Sequence, residues 1–145
     1  MKSEPDDYSI DDLKKDKRTY WDGVRNYQAR NFMRDEMRKG DGVLFYHSNT
    51  KTPHIAGFAK VVKESYPDPT QFDKKSKYFD EKSTKDNPRW VLVDIEFVRK
   101  CKKPLSLEEI KTDSKLEDMV LVKKGRLSVQ PVSKKEFEYI DRLTR

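Results

Sequence analysis

The chain has 145 residues, 34% of them hydrophobic and 40% charged, with a net charge of +6 and an isoelectric point near 9.2. This is the length of one ordinary domain, residues 1–145, with a compact core, and its 11% of aromatic residues excludes a disordered chain. No segment approaches the length of a membrane span, and the single cysteine, Cys101, excludes an intrachain disulfide.

The opening, MKSEPDDYSIDDLKK, lacks the apolar run of a signal peptide, so an intracellular protein is expected. That means the cytoplasm for a bacterial source and the nucleus for a eukaryotic one. MKSEP reads as a short, weak strand. The paired carboxylates Asp6-Asp7 and Asp11-Asp12 suit a helix start, where negative charge favours the dipole. A polar bend follows, YWDGVRNYQARN, holding Trp21, two arginines and several amides. Ala29, Phe32, Met33 and Met37 then recur at helical spacing and predict an amphipathic helix stopping at Gly40. Gly40-Asp41-Gly42 reads as the turn that ends it.

GVLFYHS (42–48) and HIAGFAKVVKE (54–64) flank the turn NTKTP and predict an antiparallel strand pair. A long polar loop spans Tyr66 to Pro88 and carries Tyr78 and Phe79; loops of that length are usually functional or mobile. RWVLVDIEFV (89–98) alternates, predicting a strand with Val91, Val93, Ile95 and Phe97 on its one buried face. Three Ser-x-x-Glu patterns, at Ser106, Ser114 and Ser133, fit capping boxes, in which Ser and Glu satisfy orphan backbone donors. Val132 and Phe137 are placed as a hydrophobic staple around the last box. RLSVQPV (126–132) is a shorter strand candidate. The sum is an α+β domain with a mostly antiparallel sheet.

Catalytic and metal patterns are thin. His47 and His54 straddle a turn with no cysteine partner nearby, unlike a zinc site. His47-Ser48 is a poor nucleophile–base pair, because neighbours on a strand point to opposite faces. Nucleic-acid binding has better material. The positive excess falls mainly within 21–40 and 71–103, the footprint of a polyanion binder, although solvated lysine-rich faces carry the same balance. Stackable rings (Trp21, Tyr27, Tyr46, Tyr78, Phe79, Trp90) interleave with Arg25, Arg30, Lys51, Lys74, Lys75 and Arg89. Trp90 and Tyr46 suit a core as well as they suit stacking.

The segments MKSEP, WDGVRNYQARNFM, GDGVLFYHSN, YPDPTQFD, PRWVLVDI and GRLSVQPV, in this order over nearly the whole chain, resemble the EVE domain family. The resemblance implies a PUA-like fold related to the YTH and SRA base readers: a small, partly open, mostly antiparallel β-barrel flanked by short helices. It further implies a nucleic-acid binder, of DNA or RNA, that takes a modified base such as methylated or hydroxymethylated cytosine into a pocket; a non-catalytic, cofactor-free monomer is expected beside it. Family members usually carry an apolar lead-in before MKSEP, so a short first strand or an upstream start is expected.

Carried over by position, Trp21 would stack on the base and Asn26 would read its edge. Arg25, Tyr27, Tyr46, His47 and Ser48 would line the pocket. Groups near Val24, Lys2 and Ser3 would complete its rim, and Tyr78 and Phe79 would close over it. Arg25, Arg30, Lys51, Lys74, Lys75 and Lys77 would hold phosphates without reading sequence. Two rivals stand beside this reading. One is an enzyme acting on a modified base, nucleoside or RNA, with His47, Ser48 or Asp22 moving protons. The other is a small-molecule or protein-interaction module.

Overall fold

The computed structural model describes residues 1–145. Five strands form one open sheet: β1 (Lys2–Ser3), β2 (Arg18–Tyr20), β3 (Gly42–His47), β4 (His54–Pro67) and β5 (Val91–Ser106), in the order β1-β3-β4-β5-β2. Only β1 and β3 run parallel; the other neighbours are antiparallel. The two shortest strands are therefore the two edges, and the barrel that they would close stays open between them.

Helices cover both faces of this sheet. α1 (Ile10–Asp16) and α2 (Tyr27–Asp35) lie in the first half of the chain; α3 (Leu107–Thr112), α4 (Val120–Lys123) and α5 (Lys134–Leu143) lie in the second. Two separate cores result. The first gathers Ile10, Leu13, Ala29 and Met33 onto Val43 and Phe45; the second gathers Ile110, Leu121 and Ile140 onto Leu44 and Tyr46. Because β3 feeds alternate residues to two cores, Val43 to His47 are all buried. Such a strand reads as an unbroken apolar run instead of an alternating one.

β4 and β5 are longer than their sequence patterns predict, and their pairing shifts register at several points between Ile55 and Tyr66. Bulges of this kind add twist and bend the strands. Gly57 sits at one shift, where a Cβ would meet Ile10 and the Arg99 carbonyl, so α1 can press close to the sheet. Two strand expectations need correction. β5 does not have a single buried face: Leu92, on the side expected to be exposed, is buried, as is Trp90 just before the strand. Residues 126–132 form no strand. Pro131 has no N–H to donate and the Gln130 amide turns back to the carbonyls of Lys124 and Leu127, so that the backbone bonds left are a local turn from the Leu127 N–H to the Lys124 carbonyl and a single link to β1, from the Lys2 N–H to the Ser128 carbonyl.

The helix caps follow local chemistry. Ser106 and Ser133 form full capping boxes with Glu109 and Glu136, and Ser9 forms another with Asp12. The box expected at Ser114 is absent, because Asp113 caps a short 3-10 turn there instead. Val132 and Phe137 both pack against the second core, as a staple would.

Candidate functional site

A cleft of about 910 Å³ opens at the seam between the edge strands, lined by Lys2 and Ser3 of β1 and by Thr19 and Tyr20 of β2. That volume lies within the range of small-molecule sites, roughly 300–1,000 Å³. The turn Trp21-Asp22-Gly23-Val24 supplies one wall, Ser48 and Asn49 a second, Tyr78 a third, and Gly125, Arg126 and Ser128 a fourth.

The first wall is fixed from behind. The Trp21 N–H donates to the Val93 carbonyl at 2.9 Å, and its ring meets Phe45 edge-on with centroids 5.5 Å apart. Gly23 has φ +78°, and a Cβ there would fall 2.5 Å from the Tyr78 ring, so only glycine lets that ring lie on the turn. The Gly23 N–H donates to Asp68 Oδ2 at 2.9 Å, and Arg25 Nη1 donates to the same oxygen at 3.1 Å. Asp68 Oδ1 accepts from the Thr70 N–H and hydroxyl. Arg25 also donates to the Tyr78 carbonyl and lies over the Tyr78 ring, 5.4 Å from its centroid.

Asp68 is fully buried. Burial alone would raise its carboxyl, but the bonds from Thr70, Gly23 and Arg25 outweigh it and hold the group below the usual carboxylate range. Gln71, equally buried, donates to the carbonyls of Asp68 and Trp90 and accepts the N–H groups of Arg89 and Trp90. The Trp90 indole N–H donates to Asp80 at 2.7 Å. The long 66–88 loop is thus tied to the sheet at Asp68, Gln71 and Asp80, and it presents Tyr78 as a fixed wall.

The opposite rim is held more lightly. Lys2 Nζ donates to the Gly125 carbonyl, Ser3 Oγ to the Tyr8 carbonyl at 2.6 Å, and Asn49 Nδ2 to Glu4 at 2.6 Å. Asn49 has φ +49°, a left-handed conformation that asparagine tolerates. Burial and its bond to Asp16 push the Tyr8 phenol up to about 12, so it stays a neutral donor.

Of the residues expected at a pocket, Lys2, Ser3, Trp21, Val24, Ser48 and Tyr78 line this one cleft, and the others lie elsewhere. Asn26 is the N-cap of α2, its amide oxygen accepting from the Ala29 N–H, so it does not reach in. Tyr27 stacks on Trp90, with centroids 4.8 Å apart, on the outer side. Tyr46 is buried in the second core. His47 is only 7% exposed, and its Nε2 accepts from the Ile10 N–H at 3.1 Å. Phe79 is on the surface outside the cleft, and Arg25 stands behind the wall as part of the Asp68 clasp.

The phosphate assignments scatter in the same way. Arg30 donates to Asn31 and to the Arg89 carbonyl, while Lys51, Lys74 and Lys75 are exposed away from the cleft. Lys77 lies nearer, 5.1 Å from the Tyr78 ring centroid. Sequence reasoning missed Arg126 as a wall residue, and it named Asp22 individually only as a proton carrier in the enzyme alternative. Both sit inside the quoted motifs WDGVRN and GRLSVQPV, which was the available signal.

A small α+β domain whose open sheet leaves a cleft of about 910 Å³ at its seam, walled by a tryptophan and a tyrosine, has the architecture of a ligand-binding module. The chain belongs to the EVE domain family, whose model matches residues 1–143. Human thymocyte nuclear protein 1 is 46% identical over a 159-residue alignment covering 97% of this chain and 70% of that protein. A hypothetical protein from Leishmania major, 53% identical, superposes with a TM-score of 0.94 over 99% of this chain and 91% of its own. The human THYN1 protein in complex with 5-methylcytosine-containing DNA is 46% identical, with a TM-score of 0.94 over 100% of this chain and 95% of that one. No helix in this chain is long and apolar enough to cross a membrane.

Proposed function

We propose that this protein is a non-catalytic reader of modified bases in nucleic acid, taking one base, flipped out of its stack, into the seam cleft. The observation that carries the reading is the pinned Trp21 wall facing a cleft of nucleotide size. The DNA complex of its human relative makes a methylated cytosine in DNA the first ligand to try. Trp21 stacks on the base, Tyr78 faces it across the cleft, and Lys2 and Arg126 at the rim meet the phosphates. A proton-transfer role for His47 is disfavoured, since its Nε2 already accepts from a backbone N–H.

Magnitudes set what such a site must do. Flipping a base out of a duplex costs a few kcal/mol, and stacking on an aromatic ring returns about 1–3 kcal/mol. One buried methyl adds only ~0.8 kcal/mol, around fourfold in affinity. A fitted wall, beyond greasy burial, is therefore required for a sharp preference.

The test is a tryptophan-fluorescence titration with matched oligonucleotides, unmodified or carrying a modified cytosine or adenine, at two salt concentrations. Trp90 is buried and stacked on Tyr27, so a ligand-dependent change reports Trp21. Quenching that prefers one modification and weakens with salt supports the reading, because phosphate contacts release counterions. Trp21→Ala should abolish binding and leave the protein folded. Salt-independent affinity, or equal binding of every oligonucleotide, sinks it.

A further inference from the structure

Several polar groups around the cleft already have partners. Glu4 accepts from Asn49, Ser3 donates to the Tyr8 carbonyl, the Tyr8 hydroxyl donates to Asp16, and the Gly23 N–H donates to Asp68. Asp22 differs. It is half-buried in the cleft wall, directly after Trp21, and its carboxylate takes no hydrogen bond from another residue. Burial first, and then the nearby charge of Asp68, push its carboxyl above the usual range, with Arg25 and Lys77 opposing the rise. A carboxylate in this position is short of donors.

The backbone on both sides of Asp22 is also pinned. The Trp21 N–H is bonded to Val93 and the Gly23 N–H to Asp68, with Tyr78 packed on Gly23. The Asp22 main chain is therefore held in place when a ligand covers it. A base that settles on Trp21 would strip the remaining water from this carboxylate, and such a loss needs a replacement donor. The donors on base edges are the exocyclic amines, N4 of cytosine, N6 of adenine and N2 of guanine, together with the imino N–H groups of thymine, uracil and guanine; at position 4 of a pyrimidine only cytosine offers one. Thymine and uracil present a carbonyl oxygen where cytosine carries its amine, so two acceptors would face each other.

We propose that Asp22 is a specificity-determining residue that reads position 4 of a pyrimidine, admitting the 4-amino cytosines and rejecting their 4-oxo counterparts. This inference rests on the base-reader reading and adds which edge of the base is read and by which residue. A good acceptor–donor match of this kind discriminates by about tenfold to a hundredfold.

5-Methylcytosine and thymine share the 5-methyl group and differ at position 4, amino against oxo, and at the adjacent N3, an acceptor against an N–H donor. The experiment measures, by fluorescence anisotropy, the affinity of the full chain for two labelled single strands identical except for that one base. The wild type is expected to favour 5-methylcytosine by about tenfold or more, and Asp22→Asn to cut the ratio to within about threefold, because an amide can turn its N–H towards O4. Asp22→Ala, with no acceptor at all, should lower the ratio too and stands in if the asparagine variant melts early. A wild type indifferent to the two strands, or a ratio untouched by both variants, overturns the proposal. Trp21→Ala, run alongside, separates the failures. If it binds both strands as the wild type does, or if the wild type binds neither, the base-reader reading falls and this inference with it. If binding needs Trp21 but the ratio ignores Asp22, only this inference falls.

Discussion

Replacing Asp68 with asparagine removes the charge from the fully buried carboxylate behind the Trp21 turn while keeping its shape. Its Oδ1 accepts from the Thr70 N–H and hydroxyl, and its Oδ2 from the Gly23 N–H and Arg25 Nη1. An amide has one oxygen, so whichever way it turns, its NH2 faces two donors. Each donor left unsatisfied costs about 1–3 kcal/mol. The Arg25 side chain is 21% exposed, which lets water repair part of the loss, and the sum comes to about 2–4 kcal/mol. At about 3–4 °C per kcal/mol for a domain of this size, Asp68→Asn should lower the melting temperature by ~6–15 °C near neutral pH. Circular dichroism melts measure it directly.

The pH dependence adds a second check. Asp68 is held below its unfolded value of about 3.9, so its contribution is complete above that pH and is lost as pH falls through the folded value. The gap between wild type and variant should therefore narrow below about pH 4. A melting shift under ~2 °C at neutral pH, or a gap that stays constant down to pH 3, would refute the reasoning that this carboxylate clasps the wall.

Gly23→Ala places a methyl 2.5 Å from the Tyr78 ring at a backbone angle that alanine resists, so a loss of about 1–3 kcal/mol is expected together with weakened oligonucleotide binding. Unchanged melting would mean the Tyr78 wall is loose. His47 should tune stability in mild acid. Burial, with His54 and Lys100 adding to it, lowers its imidazole, against Asp11, so stability is complete above about pH 6.5 and declines as pH falls through the folded value. A His47→Gln variant should flatten the fall between pH 7 and pH 5, and an identical slope in both proteins would count against it. Arg126→Ala should weaken every oligonucleotide alike and reduce the salt slope by about one, whereas an effect confined to one modified base would take Arg126 off the phosphates.

What was legible in the sequence was local. The capping boxes at Ser106 and Ser133 need only four consecutive residues, and they stand as read. The β3–β4 hairpin and the α2 stripe of Ala29 and Met33 are likewise written in short periods, although α2 stops at Asp35, short of the expected Gly40, and Met37 is buried beyond its end. Asn26 shows the same rule working against the reading of the site: an asparagine three residues before the Ala29 N–H is a cap first, and its amide is occupied there.

The clasp was not legible. Asp68 and Gln71 sit in a polar stretch that resembles any solvated loop, and their burial depends on residues far along the chain, Gly23, Arg25, Arg89 and Trp90. The pairing of Tyr27 with Trp90 was hidden for the same reason, and it takes both rings away from the cleft. The second buried side of β5 also depends on that loop, whose Gln71 amide accepts both backbone N–H groups at its start.

The seam has a consequence for the molecule as a whole. β1 and β2, at opposite ends of the sheet order, never meet, yet both help to line the cleft. Anything seated there touches the first stave and the last, and so bridges a ring that the chain itself leaves unjoined. Occupancy would then act on cooperativity as well as on recognition. Two short edges that are not paired with each other in the free protein would share a common neighbour. The ligand would serve as the keystone of the barrel.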